Sequence, residues 1–224
     1  MALGFSENTG GGSDRLDYLK YNAKAGRLYR VDRENDGSGW RTSETEITNN
    51  FTAVADIENI EVGWMHFPTG AAPVFLLSKI GEPKPARPNA DFNEGFRLVM
   101  KLSAATADGK SSIRELTGNA KVIRKGMDEL HNEYLEGIKA NPGKLPVVKL
   151  EKTIPVVTEN KHGKQTNYQP VFKIIKWVPR PEDLQPVASV PASSAPASAP
   201  PSTGSKAVAP PAAAKEPELE DEFG

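Results

Sequence analysis

The clearest periodicity in the chain lies between Ile113 and Ile138, where apolar residues fall at 113, 116, 120, 123, 127, 130, 134 and 138. Spacings of three and four place them on one stripe, so the pattern predicts a single amphipathic helix from 113 to about 140. Ser112 with Glu115 reads as a capping box at its start, and Asn141-Pro142-Gly143 stops it. Elsewhere the apolar runs are short and β-prone. RLDYLKYN and GRLYRVD are joined by Ala-Lys-Ala-Gly, which predicts a hairpin with Gly26 in a left-handed turn position. DRENDGSGWRTSETEITNN, from Asp32 to Asn50, is polar and reads as a long loop with Trp40 stranded in it. FTAVADIENIEVGWMHF (51–67) reads as one long strand bent at Gly63, followed by strands over 73–80, 95–103, 145–157 and 170–178.

From residue 51 the predicted order is strand, strand, strand, helix, strand, strand. That is the order of an OB-fold, a five-stranded barrel whose strand face and loops commonly bind oligonucleotides. The expected class is therefore mainly β with one long helix (α+β), an OB-like barrel carrying an extra N-terminal hairpin. Other α+β folds share the order.

Composition changes this picture at the two ends. Residues 1–14 form a glycine-rich leader without a basic or long apolar segment, unlike a signal peptide. PVASVPASSAPASAPPSTGSKAVAPPAAA is rich in Pro, Ala and Ser, and predicts a disordered linker over 184–212 that reaches roughly 30 Å. The domain expected between them spans 15–183, and an acidic tip follows over 213–224. Residues 184–224 hold 2 Lys against 5 Asp and Glu, a balance of −3, which leaves 26 basic and 24 acidic residues in 1–183, a balance of +2. No apolar run approaches the ~18 residues that span a bilayer. The chain has no cysteine, which removes thiol catalysis, disulfides and thiolate metal sites and fits a reducing compartment.

Catalytic motifs are scarce. Gly109-Lys110-Ser111 imitates the end of a phosphate-binding loop, but that loop requires glycine at 104, where this chain has alanine. The expected role is a turn leading into a helix cap. His66, His131 and His162 are scattered without ligand spacing, so neither a metal nor another cofactor is expected. What recurs is a mixture of cations and aromatic rings. The first hairpin carries Tyr18, Lys20, Tyr21, Lys24, Arg27, Tyr29 and Arg30. Trp64, Lys79, Lys84, Arg87, Phe96, Arg97 and Lys101 follow, and the last hairpin adds Lys161, Lys164, Tyr168, Lys173, Lys176 and Trp177. A single strand of nucleic acid needs flat faces for its bases and cations for its phosphates, and these residue types supply both. Trp64 and Trp177 fit a core equally well, whereas Tyr18, Tyr29 and Tyr168 stand beside charge and fit a surface.

An OB-like body, a Pro/Ala/Ser tether and the tip KEPELEDEFG together resemble the single-stranded DNA-binding proteins of bacteria and their phages, the phage type most closely. The resemblance covers the architecture and the last ten residues. It implies a non-enzymatic protein of the bacterial host cytoplasm, with no membrane attachment and a possible homo-oligomeric state. Such a protein coats single strands with little sequence preference during replication, recombination and repair. It further implies that Glu216, Glu218, Glu220, Asp221, Glu222 and Phe223 recruit partner proteins and compete with DNA for the basic groove. Family members end in Phe, whereas here Gly224 follows Phe223 and moves the terminal carboxylate outward. Two other readings remain open at this point: a protein interaction or scaffold module whose tail confers solubility, and an enzyme whose site assembles only in three dimensions.

Overall fold

Strand is the commonest conformation among residues 16–160 and 163–184, which the computed structural model describes. The leader, Lys161, His162, the linker beyond Leu184 and the acidic tip lie outside the described residues. The expected N-terminal hairpin is present as β1 (Tyr18–Asn22) and β2 (Arg27–Asn35), with Gly26 at φ +65°. A side chain at 26 is excluded twice over, because an added Cβ would also lie 2.9 Å from Tyr168 Cβ. The predicted loop over 32–50 is mostly strand: β2 runs on to Asn35, and β3 (Trp40–Glu46) pairs with it antiparallel. All seven residues of β3 are exposed, so it has no apolar face for the sequence to display.

The single strand expected over 51–67 is broken in two. β4 (Thr52–Ala55) and β5 (Glu61–His66) flank a 3-10 turn at Ile57–Asn59, where Asn59 Nδ2 donates to Asp56 Oδ1 at 2.9 Å. Gly63 is therefore no bend. It lies within β5, where an added Cβ would stand 2.2 Å from the carbonyl oxygen of Leu76 on β6 (Val74–Lys79). β7 (Asn93–Leu102) follows, then a single helical turn, α1 (Ala104–Ala107), capped by Ser103, whose side chain accepts from the Thr106 N–H.

The long helix is also divided. Residues expected to begin it form β8 (Ile113–Gly118), and α2 (Lys121–Gly137) starts only after Gly118, ending in a 3-10 turn at Ile138–Ala140. The proposed capping pair of Ser112 and Glu115 consequently caps nothing. Gly109-Lys110-Ser111 forms the turn between α1 and β8. β9 (Lys144–Asn160) and β10 (Gly163–Pro179) complete the fold as one long antiparallel ribbon.

Among the described residues ten strands thus replace the expected seven, five from residue 51 and two in the hairpin. They form one mainly antiparallel sheet in the order β10-β9-β4-β7-β8-β1-β2-β3, with β5 and β6 branching from β7 and a parallel contact between β1 and β8. The sheet curls so that the Tyr168 N–H on β10 reaches the Ala23 carbonyl in the β1–β2 turn at 2.7 Å. Its inner face supplies the core: Leu19, Leu28, Leu98, Met100, Leu116, Val148 and Phe172 meet Ile123, Met127, Leu130 and Tyr134 of α2. Each fully buried side chain of this kind contributes about 1.5–3 kcal/mol. α2 runs along β10, and Glu133 accepts from the Ile174 N–H on that strand at 3.2 Å.

One polar cluster interrupts the apolar interior. Asp32 bridges two guanidinium groups, Arg30 Nε at 3.0 Å and Arg114 Nη2 at 2.6 Å, and all three side chains are almost fully buried. Arg114 also donates to the carbonyls of Val31 and Ser111, and Arg30 to those of Thr106 and Ala107. The cluster ties β2, β8 and α1 together. At the other end of the domain Arg180 is held by Asp56 and Glu58, and Leu184, expected to open the linker, is fully buried. Hydrogen bonding to Asp56, ahead of Glu58, raises the affinity of Arg180 for its proton.

Candidate nucleic-acid interface

Directly opposed residues in neighbouring strands point to the same face of a sheet, so the register assigns each side chain to one face or the other. Across the first three strands the outward set is Tyr18, Lys20, Arg27, Tyr29, Arg33 and Trp40, because Tyr18 opposes Val31, Lys20 opposes Tyr29, Arg33 opposes Thr42 and Asn35 opposes Trp40. The parallel contact carries this face to Glu115, and β7 continues it through Arg97, Val99 and Lys101. Lys79 joins through Glu61, which opposes both Lys79 and Arg97. Beyond β7 the face passes through Val54 and Thr52 to Lys149 and ends at Lys173 and Lys176.

The outer face therefore collects Tyr18, Lys20, Arg27, Tyr29, Lys79, Arg97, Lys101, Lys173 and Lys176 from the expected set. It adds Arg33, Trp40 and Lys149, which sequence reasoning missed. Trp40 is 60% exposed, although it was read as a stray loop residue. The only signal for it was its ring, since a strand exposed on both sides has no alternation. Arg33 lies over the Tyr18 ring at 5.7 Å, a cation–π contact that orients the phenol.

Charge is distributed unevenly on this face. Lys20 pairs with Glu44 at 2.8 Å and Arg27 with Glu46 at 2.7 Å. The hydrogen bond that Lys20 donates to Glu44 raises the Lys20 pKa, so the ammonium stays charged through neutral pH. Arg97 is bound by Glu61, and Lys101 by Asp183 at 2.7 Å. Lys173 stands 3.5 Å from Glu133, while Lys149 and Lys176 have no ion-pair partner among the described residues. Between β4 and the segment after β10 lies a shallow groove of about 290 Å³, lined by Val54, Val147 and Val178 and flanked by Lys101 and Lys176.

The other expected residues lie elsewhere. Trp64 opposes Glu94, off the outer face, and is gathered with Lys84 and Arg87, whose cations stand 4.3 and 5.3 Å from its ring centre. Its indole N–H donates to Pro85 and Arg87 donates to Phe92 and Ala90, so this cluster fastens the proline-rich loop to β5. Lys84, with Arg124 behind it, holds the Glu94 carboxyl below its ordinary range. The Tyr21 hydroxyl donates to the Tyr168 carbonyl at 2.9 Å near the β1–β2 turn that carries Lys24, and Tyr168 lines a polar cleft of about 460 Å³ with Arg27, Lys152 and Thr153. Burial pushes the Tyr21 phenol well above its usual pKa. Lys164 is exposed on the far half of β10, opposite Glu159.

Two expected contact residues, Arg30 and Phe96, are interior, and Trp177 is partly buried. Arg30 belongs to the Asp32 cluster, Phe96 is a core ring, and Trp177 packs against Tyr134 of α2 at 5.7 Å. Neither Arg30 nor Phe96 offers a face to a ligand. The described residues contain no group of three or more His, Cys, Asp and Glu side chains placed to hold a metal ion. His66 stacks on Phe92, and partial burial lowers the pKa of His131 beside Tyr134. No described helix is long and apolar enough to cross a membrane. No protein-family model, curated protein or solved structure matches the chain.

Proposed function

We propose that this protein binds single-stranded DNA, without catalysis and with little sequence preference, along the outer face of its sheet. The observation that carries the reading is the register of β1, β2 and β3, which gathers Tyr18, Tyr29 and Trp40 with Lys20, Arg27 and Arg33 on one side of one sheet. Rings at strand spacing accept successive bases, and the lysines farther along accept phosphates. The curled sheet, returning through Tyr168 to the first hairpin, supports reading the body as an elaborated OB-like barrel. In this proposal the acidic tip from Glu216 to Phe223 recruits replication, recombination or repair proteins over the length of its linker, in the cytoplasm of a bacterial host.

The ion pairs Lys20–Glu44 and Arg27–Glu46 favour a second reading, a non-enzymatic protein interaction module, because they neutralise two of the cations a polyanion would seek. Titration with oligo(dT), duplex DNA and RNA at two salt concentrations, read by gel shift and by intrinsic fluorescence, separates the two. The proposal expects quenched emission, preference for the single strand, and an affinity that falls with salt at a log-log slope of about −0.7 per phosphate neutralised. Equal affinity for duplex, or binding insensitive to salt, overturns it.

A further inference from the structure

The sheet has three open edges, β10, β3 and β6, and they are treated differently. β10 is covered by α2, with Glu133 taking the Ile174 N–H. β3 is blunted by charge and polarity, since WRTSETE contains Arg41, Glu44 and Glu46 and every residue is exposed. These are the ordinary protections of an edge against pairing with another chain. β6 has neither. Its sequence is VFLLSK, whose one charge stands at the last position, and among the described residues its pairing partner is β5 alone. Exposed apolar side chains surround it: Val74 is 42% exposed, Phe67 47% and Ile80 38%.

The hydrogen-bonding groups of β6 define what fits there. The Ile80 N–H donates inward to Ile60, so even-numbered residues of this strand face β5 and odd-numbered ones face away. At Lys79 the outward N–H meets Glu82 Oε2 and the carbonyl accepts from the Glu82 N–H, which closes that end. Pro73, just before the strand, has no N–H and closes the other. Phe75 and Leu77 remain, each with an outward N–H and an outward carbonyl.

We infer that β6 is a self-association edge on which a second copy of this chain pairs antiparallel, with Leu76 opposite Leu76 of the partner subunit. In that register Phe75 of each copy faces Leu77 of the other, and the free N–H and carbonyl groups of both copies satisfy one another. The closed ends at Pro73 and Lys79 select this register, and the pairing is isologous. The edge is neutral between its ends, so two copies meet without like-charge contact. A charged or polar peptide would leave Phe75 and Leu77 against unmatched side chains. This inference does not depend on the nucleic-acid reading.

The full chain of 24.2 kDa is examined by sedimentation equilibrium and light scattering over a concentration series. The expected mass approaches twice that value as concentration rises. Leu77→Pro removes an outward N–H while leaving the β5 ladder intact, a substitution edge strands tolerate, and it is expected to return the mass to the single-chain value. Phe75→Lys, which alters no backbone group, is the second test, with circular dichroism verifying the fold of each variant. Thr42→Pro, an outward-facing position of the same type on β3, is expected to leave the dimer unchanged. A wild-type chain that stays monomeric throughout overturns the inference, as does a dimer that persists in folded Phe75→Lys.

Discussion

The two ends of the outer sheet face present different chemistry to the same solvent. The β1–β2–β3 end has rings, Tyr18, Tyr29 and Trp40, and two of its cations, Lys20 and Arg27, are tied to glutamates. The β4–β9–β10 end has no outward ring. It offers Lys149 and Lys176 without ion pairs and Lys173 in a long one. What lies beneath differs as well. Under the rings is the Arg30–Asp32–Arg114 cluster, whereas under the lysines are Val148, Leu150 and Phe172, with Phe172 edge-on to Phe51 at 6.0 Å. An exposed neutralised cation adds little affinity for phosphate, and an aliphatic lysine row adds no stacking. Under the proposed function the difference is a division of labour: one end holds bases and the other draws in the backbone.

The largest effect is expected where the comparison rests on burial. Asp32→Ala leaves two guanidinium groups in the interior without their shared carboxylate, and breaking a buried pair costs about 3–5 kcal/mol. Urea unfolding is expected to show that loss. Replacing Arg30, Asp32 and Arg114 together by apolar side chains of similar size is expected to cost far less, because no uncompensated charge remains. If Asp32→Ala unfolds like the wild type, the cluster does not hold the ring-bearing end in place.

That same cluster explains where sequence reasoning stopped. The β-rich class, the hairpin at Gly26 and the centre of α2 were legible because local turn chemistry and a helical stripe over 123, 127, 130 and 134 determine them. β8 was not. Its inward positions are Arg114 and Leu116, and an arginine at a core position erases the alternation that marks a strand, so Ile113 and Leu116 were absorbed into the helical pattern instead. β3 was illegible for the opposite reason, since both of its faces meet water. The break between β4 and β5 has no Gly or Pro to announce it, only Asp56 and Asn59. As for the candidate site, composition supplies the residue types, but which of them share a face is a property of register. Arg30 and Phe96 therefore look like contacts and are interior, Trp177 is partly buried against α2, and Trp40 looks incidental and stands on the face.

The next effect in size separates the two ends directly. Trp40→Ala and Tyr29→Ala are each expected to lose about 1–3 kcal/mol of affinity for oligo(dT), the usual worth of a base on an aromatic ring, with the salt slope unchanged. Lys149→Ala and Lys176→Ala are expected to do the converse. Each reduces the slope by about 0.7 while affinity at high salt is almost unaffected. Titrations of the four variants at three salt concentrations test the crossing. Ring variants that change the slope, or lysine variants that abolish fluorescence quenching, would merge the two ends into one undifferentiated surface.

The smallest effect concerns the neutralised cations. Lys20 and Glu44 are both substantially exposed, and an exposed pair of this type contributes about 0.2–1 kcal/mol to folding. Because Glu44 raises the Lys20 pKa above its ordinary 10.5, that contribution is complete below 10.5 and disappears as pH climbs through the raised value, so at neutral pH the pair is fully formed. Glu44→Gln removes the competing carboxylate and leaves the ammonium free beside Tyr29, its neighbour across the strands. Stability is expected to change within the small range of an exposed pair. Affinity for oligo(dT) is expected to rise at low salt and to merge with the wild type at high salt, with the slope steepened by at most about 0.7, since one further phosphate becomes available for neutralisation. A gain that persists at high salt would mean that Glu44 obstructs a base rather than a phosphate. A loss would mean that the ion pair positions Lys20 for binding, and the ring-bearing end would then use its cations after all.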